Sequence, residues 1–281
     1  MFLLLLVTVQ LFYAVTCQLS CYNCPMQANV FDSIITADTV PNDLKDCSRQ
    51  QDQTQCSVHI EWTQNPNRTS IVLLSDSERQ DASGRHNLEN AITLTNNGTR
   101  TQWRKTMDYT CSTDQCNSPA MVKRLLRSLT SKDNFQTLSS LLDMNTQFHG
   151  NLCTFFANSS VSCDTEMDRN NCRQCATQEY IQSKPVEVCL NCVMDDIIEN
   201  FITRQVKFFM KERERHDIWM IECQQKDCNA IETGNLIRQN SEIDFDFAYF
   251  LNGSNQLNSF ALVISLVSVL TIFNLFEKLF Q

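Results

Sequence analysis

The sequence predicts a disulfide-rich, mainly β protein with two small cysteine-rich modules in series, joined by a helical connector. Three observations support this fold class. The chain of 281 residues contains 15 cysteines, and the unit Cys-x4-Cys-Asn occurs twice, at 111–117 and at 223–229. Apolar runs lie near both ends of the chain, as in proteins that enter the secretory pathway. In the first module, short segments alternate apolar and polar residues, which is typical of β-strands.

Residues 1–17 are predicted to be a cleaved signal peptide. They carry no charged side chain, and their apolar run is shorter than the roughly 20 residues of a membrane-spanning helix. An uncleaved signal anchor is the alternative. Cleavage removes Cys17 and leaves an even number of cysteines, so we expect all of them to form disulfides in an oxidising compartment. They are Cys21, Cys24, Cys47, Cys56, Cys111, Cys116, Cys153, Cys163, Cys172, Cys175, Cys189, Cys192, Cys223 and Cys228.

The first module, residues 18–118, is predicted to be antiparallel β structure. Val58, Ile60 and Trp62 alternate with polar residues, so they should lie on one face of a strand. A second strand is expected at 69–74. The Asn97-Gly98 step between two strand-like runs predicts a hairpin over 90–103.

The connector, residues 119–150, shows apolar residues at helical spacing and is predicted to be an amphipathic helical segment. The second module, residues 151–230, contains two Cys-x2-Cys pairs, Cys172/Cys175 and Cys189/Cys192. We expect two nested disulfides that join one pair to the other. A four-thiolate zinc site or a redox dithiol is the alternative for the same spacing. After Cys192, apolar residues from Ile197 to Phe209 recur at helical spacing, with a further strand possible at 217–222.

The C-terminal region is predicted to anchor the protein. Residues 231–255 form an expected juxtamembrane stem, and residues 256–281 an expected GPI-attachment signal, with Asn252, Gly253 or Ser254 as the lipid-bearing residue. A single-pass transmembrane anchor is the alternative. Four Asn-x-Ser/Thr sequons predict N-glycosylation. The glycosylation candidates are Asn67, Asn97, Asn158 and Asn252.

The first module resembles the Ly-6/urokinase-receptor (three-finger) superfamily. The similarity covers residues 19–117 and depends on Leu19-x-Cys21-Tyr22-x-Cys24 at the start and Cys-x4-Cys-Asn at the end. It implies three β-fingers that project from a disulfide-rich palm, in an ectodomain that is commonly GPI-anchored, binds proteins and catalyses nothing. The chain departs from the family pattern because Tyr109-Thr110 stand where a Cys-Cys pair is usual, and an unrelated β domain is the alternative. The disulfides that the resemblance implies are Cys21–Cys56, Cys24–Cys47 and Cys111–Cys116.

The second module, from Cys153 to Asn229, resembles the ET module, a cysteine-rich extracellular domain known mainly from nematodes. The resemblance consists of the cysteine count, the paired spacing and the terminal Cys-x4-Cys-Asn unit. It implies an extracellular module without a defined activity.

Charge and motif content narrow the function. A net charge of −9 without a basic patch argues against nucleic-acid binding. The four histidines show no metal-ligand spacing, and no nucleophile or phosphate-binding motif occurs, so we expect neither catalysis nor a cofactor. The sequence predicts a glycosylated binding ectodomain on the extracellular side of the plasma membrane, held in the outer leaflet. Loops of the first module would engage or modulate a protein partner. The alternatives are a structural surface coat protein, or a luminal zinc or redox protein using Cys172, Cys175, Cys189 and Cys192.

Overall fold

The computed structural model describes residues 19–64, 66–76, 86–144, 147–158, 163, 168–181, 186–194 and 199–252. Within these ranges the chain is disulfide-rich and mainly β, which confirms the fold class at that level. The strands are β1 (Cys21–Asn23), β2 (Val30–Phe31), β3 (Ser48–Gln50), β4 (Gln55–Thr63), β5 (Arg68–Asp76), β6 (Asn87–Asn96), β7 (Thr101–Cys111), β8 (Leu129–Asp133), β9 (Phe156–Ala157), β10 (Gln174–Ile181), β11 (Glu187–Val193), β12 (Asn200–Phe209), β13 (Glu214–Cys223) and β14 (Ser241–Phe245). The α-helices with assigned bounds are α1 (Pro119–Ser128), α2 (Phe135–Ser139) and α3 (Ile231–Asn240), and short 3-10 turns occur at Met26–Ala28, Ser140–Leu142 and Gly150–Leu152.

The strands predicted in the first module are present. Val58, Ile60 and Trp62 alternate with less buried residues along β4 and face the core. β6 and β7 form the predicted hairpin. In its turn Gly98 has φ 84°, a left-handed conformation that glycine adopts at little cost.

Ten strands from both modules form one antiparallel sheet in the order β2-β5-β4-β7-β6-β12-β13-β10-β11-β9. The order is symmetric about its centre. The strands β4, β5, β6 and β7 of the first half correspond to β10, β11, β12 and β13 of the second half, respectively. The centre of the sheet is the β6–β12 pair, ten residues long. The two modules therefore share a continuous sheet across their junction.

A pseudo-two-fold axis relates the two halves. The Cys-x4-Cys-Asn units are 112 residues apart (223 − 111). At the centre of the sheet Ile92 lies opposite Arg204, which is also 112 residues further along the chain (204 − 92). β8 and β14 form a separate antiparallel ribbon in which Ser131 lies opposite Ile243 (243 − 131 = 112). Equivalent residues thus face each other in both strand pairs, as expected where a two-fold axis passes through an antiparallel pair.

After the ribbon strands, each half extends an arm into the core of the other half. The first arm, residues 134–142, places Leu138 in the core of the second half, with Trp219 and Ile237. The second arm, residues 246–252, places Phe250 in the core of the first half, where its ring is 5.7 Å from that of Tyr109. The halves are therefore held together by exchanged arms as well as by the shared sheet.

Both arms begin with the same local structure. The carboxamide of Asn134 accepts a hydrogen bond from the backbone N–H of Thr137 at 3.3 Å, and the Asp246 carboxylate accepts one from the N–H of Tyr249 at 2.8 Å. Such a cap satisfies an N–H that the first helical turn leaves unpaired. Each capping residue is followed by phenylalanine, at 135 and at 247.

The asparagine that ends each repeated unit is a hub for several backbone segments. Asn117 is fully buried; its Oδ1 accepts from Tyr22 N at 2.9 Å, and its Nδ2 lies 2.8–3.2 Å from the carbonyls of Tyr22, Ser57 and Leu74. Asn229 is equally buried and joins the corresponding segments of the second half. Its partners are Thr154 N at 2.9 Å and the carbonyls of Thr154, Ala176 and Asn191 at 2.8–3.3 Å.

All fourteen cysteines of the described ranges form disulfides, and each of the seven bonds joins two cysteines of the same half. The pairs of the first half are those that the family resemblance implies. In the second half, Cys172–Cys192 joins the two Cys-x2-Cys pairs as expected, but the nested partner bond does not form, because Cys175 lies beside Cys153, and Cys189 bonds Cys163. The bonds are Cys21–Cys56, Cys24–Cys47, Cys111–Cys116, Cys153–Cys175, Cys163–Cys189, Cys172–Cys192 and Cys223–Cys228.

Three sequence predictions need correction. The 119–150 segment is helical only in part, because Leu129–Asp133 forms a strand whose backbone pairs with β14. The helix predicted after Cys192 is wrong, because Asn200–Phe209 is the strand β12, paired on both sides. Residues 231–252, expected as part of a stem, instead form α3, β14 and the packed second arm.

The helices cover one face of the sheet. Val122 and Leu125 of α1 pack on the core of the first half, and Ile237 of α3 packs on the core of the second. The opposite face, which we call the open face, carries the alternate side chains of the same strands, which are mostly half-buried and polar. His59, Glu61, Arg104 and Asp108 belong to this open face.

Candidate binding surface

The predicted glycosylation sites lie at turns and edges of the structure. Asn67 and Asn97 are exposed in the turns of the β4–β5 and β6–β7 hairpins, at the same end of the sheet. Asn158 is exposed beside β11, the strand next to the edge strand β9, where its Nδ2 donates to Val186 O at 2.6 Å and its Oδ1 accepts from Val188 N at 2.7 Å. Asn252 is exposed at the end of the second arm. The other two lipid-attachment candidates, at 253 and 254, lie outside the described residues.

The first half contains a loop, residues 25–46, that no pattern in the sequence predicted as a site. Asn29, fully buried, joins its two ends: Nδ2 donates to Pro25 O at 3.1 Å and to Lys45 O at 3.0 Å, and Oδ1 accepts from Lys45 N at 2.8 Å. The Cys24–Cys47 disulfide closes the same base. The loop is therefore anchored both covalently and by a buried polar residue.

The far part of this loop is bound to the first hairpin. Thr69 Oγ1 donates to Ser33 O at 2.7 Å and accepts from Ile35 N at 2.9 Å. The indole N–H of Trp62 donates to Ile35 O at 2.9 Å. Ile35 and Val40 are buried. These contacts hold the backbone of the loop in one arrangement before any partner binds.

The 25–46 loop also exposes apolar side chains. Met26 is 39% exposed, Val30 39% and Ile34 37%, so three of the exposed large apolar side chains of the described residues belong to this one loop. The same loop has exposed carboxylates; Asp32 lies 3.5 Å from Arg68, and Asp38 lies 3.8 Å from Arg127. The loop contains no sequon. The aspartates of the loop are Asp32, Asp38, Asp43 and Asp46.

A histidine–aspartate pair lies on the open face of the sheet. His59 Nδ1 is 2.6 Å from Asp108 Oδ1, across the β4–β7 pair. This hydrogen bond raises the pKa of His59, against the opposing effect of partial burial. The neighbouring Arg104 and Glu61 are 3.7 Å apart. The pair links two strands, and both groups remain partly accessible to solvent.

A second histidine lies where the second arm meets the first half. The ring of His86 is 6.0 Å from that of Phe250, and its Nε2 forms a short hydrogen bond with the Tyr109 hydroxyl. Burial lowers the pKa of His86 and raises that of Tyr109. Both shifts favour the neutral forms, so the contact is an uncharged hydrogen bond within an aromatic cluster.

The second half contains a buried ionic network on the covered face. Arg204 and Asp217 are almost fully buried and form a two-point ion pair, with Nε 3.0 Å from Oδ1 and Nη2 2.5 Å from Oδ2. Arg238 Nη1 lies 2.7 Å from Glu179 Oε1, and Trp219 Nε1 donates to Glu179 Oε2 at 2.7 Å. These charges join α3 and β14 to the sheet, which is a structural role.

The residues considered for zinc or redox chemistry are all oxidised. The four sulfurs of the Cys-x2-Cys pairs are in three disulfides, so none is a thiolate that could bind a metal. Over the described ranges, no group of three or more His, Cys, Asp or Glu residues is arranged to hold a metal ion. Among the helices of those ranges, none is long and apolar enough to cross a membrane. The predicted anchor segment, 256–281, lies outside them.

Comparison of the chain with protein-family models, with curated proteins and with solved structures finds no match. The disulfide content indicates a secreted or extracellular protein. The geometry of the 25–46 loop makes it the best candidate binding surface among the described residues.

Proposed function

We propose that the protein is a glycosylated, GPI-anchored cell-surface ectodomain that binds another protein through the 25–46 loop of its first half. The observation that supports this most is the combination of a fixed backbone with exposed Met26, Val30 and Ile34. A loop ordered before binding loses less conformational entropy in a complex, and apolar side chains at its surface provide the contact area.

The positions of the sequons favour this loop over the other two projections of the first half. Asn67 and Asn97 lie in the two hairpin turns, and glycans there would shield both turns from a protein partner. The 25–46 loop has no sequon. It thus remains accessible at the outer edge of the sheet, next to β5.

The topology is consistent with the proposed membership of the three-finger superfamily. The loop closed by Cys24–Cys47, the β4–β5 hairpin and the β6–β7 hairpin are three successive projections from a disulfide cluster. The Asn117 hub lies in that cluster and joins the first strand to β4 and β5.

The charge of the loop suggests the chemistry of the partner. Four aspartates and Lys45 give the 25–46 loop a formal charge of −3 (1 − 4). A partner with a basic rim around an apolar patch would be complementary, and oppositely charged surfaces mainly accelerate association. We therefore expect the association rate to fall as the salt concentration rises.

The test is the binding of a fluorescent ectodomain, residues 18–252, to intact cells that display the partner. Val30→Asp with Ile34→Asp should weaken saturable binding by about tenfold or more, because each apolar side chain contributes about 1.5 kcal/mol or more when buried. The matched control is Phe156→Asp in the second half, which changes an equally exposed side chain (42%) and should leave binding intact. Binding that does not saturate, or equal loss in both variants, would overturn the proposal and favour a structural coat role.

A further inference from the structure

The structure places the end of the second arm beside the turn that joins β12 to β13. Phe250, two residues before Asn252, packs on the His86 ring. The backbone carbonyl of His86 accepts a hydrogen bond from Met210 N at 2.9 Å. Asn252 and the turn at 210–213 are therefore at the same end of the sheet.

The hairpin turns of the first half lie at the opposite end. β6 runs from Asn87, beside Phe209, to Asn96, beside Asn200. Its ten residues span about 30 Å. Asn97 and Asn67, in the adjacent turns, are thus separated from Asn252 by the full length of the sheet.

We infer that one end of the sheet faces the membrane. The β12–β13 turn lies against the lipid headgroups, and the hairpin turns of the first half point away from the membrane. The inference rests on the proposed lipid attachment at Asn252, Gly253 or Ser254. Attachment there leaves at most two residues, about 7 Å of chain, between the packed arm and the glycan of the anchor. That length of chain is short compared with the sheet, so the anchor is joined at the end of the sheet where the arm stops, and that end is the one nearest the membrane.

The chemistry of the turn suits phospholipid headgroups. Residues 211–215 are all exposed, and they include Lys211 and Arg213, two carboxylates, and Arg215, which is paired with Asp217 at 3.0 Å. Cationic side chains of this kind can bind headgroup phosphates. Tyr249, 47% exposed on the arm itself, has the amphipathic ring that is enriched at membrane–water interfaces.

The sequons provide independent support for this orientation. Asn67 and Asn97 are exposed at the end of the sheet that would face away from the bilayer. Bulky glycans are readily accommodated there. The turn at 210–213, which would face the bilayer, contains no sequon.

The experiment compares the accessibility of one short epitope at two positions in the full-length chain. The proximal variant has the epitope inserted after Glu212, and the distal variant has it after Thr99. Both variants carry Asn97→Gln so that no glycan shields the distal epitope. Binding of an antibody fragment is measured on intact cells and again after release with a GPI-specific phospholipase.

We expect several-fold stronger antibody binding to the distal than to the proximal epitope on cells, and equal binding after release. Equal binding before release would overturn the inferred orientation, even where the phospholipase releases the protein. Resistance to the phospholipase would count against the lipid anchor instead. The accessibility ratio on cells is then compared with that of the secreted chain 18–252, and a ratio unchanged from the secreted chain would also refute the orientation.

Discussion

Replacing Asn117 by alanine tests whether the buried carboxamide holds the base of the first half together. The side chain accepts one backbone N–H, from Tyr22, and donates to carbonyls of the first strand, β4 and β5. The Tyr22 N–H left without a partner costs about 1–3 kcal/mol, and each hydrogen bond lost by the two Nδ2 hydrogens costs about 0.5–1.5 kcal/mol. We therefore expect a loss of about 3 kcal/mol in the free energy of unfolding.

The pseudo-two-fold relation extends this prediction to the equivalent asparagine of the second half. Asn229 is equally buried and has the corresponding backbone partners in the second half, so Asn229→Ala should cost a similar amount. Asn117→Asp should cost more than Asn117→Ala, because a carboxylate oxygen would face the carbonyls and its charge would be buried. Asn42→Ala, at an exposed position, is the matched control and should change stability little.

The assay is urea unfolding of the ectodomain 18–252 without reductant, followed by tryptophan fluorescence. With a slope of about 2 kcal/mol per molar urea, a loss of 3 kcal/mol lowers the midpoint by about 1.5 M. A loss below about 1 kcal/mol for Asn117→Ala would refute the hub role, since that is the value of a single ordinary hydrogen bond. A large loss for only one of the two asparagines would refute the structural equivalence of the halves.

Three further predictions concern the second half and the contact between the arms and the sheet. Gly234→Ala should lower the free energy of unfolding by about 1–3 kcal/mol, because its Cβ would lie 2.5 Å from the Trp219 ring; an unchanged urea midpoint would contradict this. Arg204→Met should lower the free energy of unfolding by about 3–5 kcal/mol, because Asp217 is then left buried beside one partly exposed arginine. The double variant with Asp217→Leu should recover much of that loss in the same assay. Burial lowers the pKa of His86, so its contribution to stability is complete above pH 6.5, the unfolded value, and is lost as the pH falls below it. The wild-type protein should therefore lose more thermal stability than His86→Asn between pH 7.5 and 5.5. Equal losses would show that His86 is not the group responsible.

The first half was largely predictable from the sequence because its strands follow simple rules. β4 buries every second residue, and the β6–β7 turn contains Asn-Gly. β12 was not predictable in this way. It places Arg204 on the covered face and Phe201 and Phe209 on the open face, so apolar residues do not alternate cleanly along it. Arg204 is accommodated on the covered face only because Asp217 lies on the neighbouring strand.

The arms and the second-half disulfides depend on contacts between distant parts of the chain. No local pattern shows that Leu129–Asp133 will pair with a strand more than 100 residues away. A signal for the arms was nevertheless present, since Phe135 and Phe247 repeat at the spacing of 112 set by the Cys-x4-Cys-Asn units (247 − 135). Alignment of the chain with itself at that spacing would have found it. The partner of Cys163 has no such signal, because sequence spacing alone cannot fix connectivity.

The differences between the halves bear on the proposed binding surface. The central strands, the asparagine hubs and the exchanged arms are common to both, and they are the parts that hold the halves together. The outer edges differ. Beside β11 the second half has Cys163–Cys189 and Cys172–Cys192, which fix the edge covalently. Beside β5 the first half has the ordered 25–46 loop with exposed Val30 and Ile34. A duplicated framework that keeps its centre and changes one edge would confine the proposed recognition to that edge, and the arm that ends at Asn252 would fix the direction in which the edge is presented.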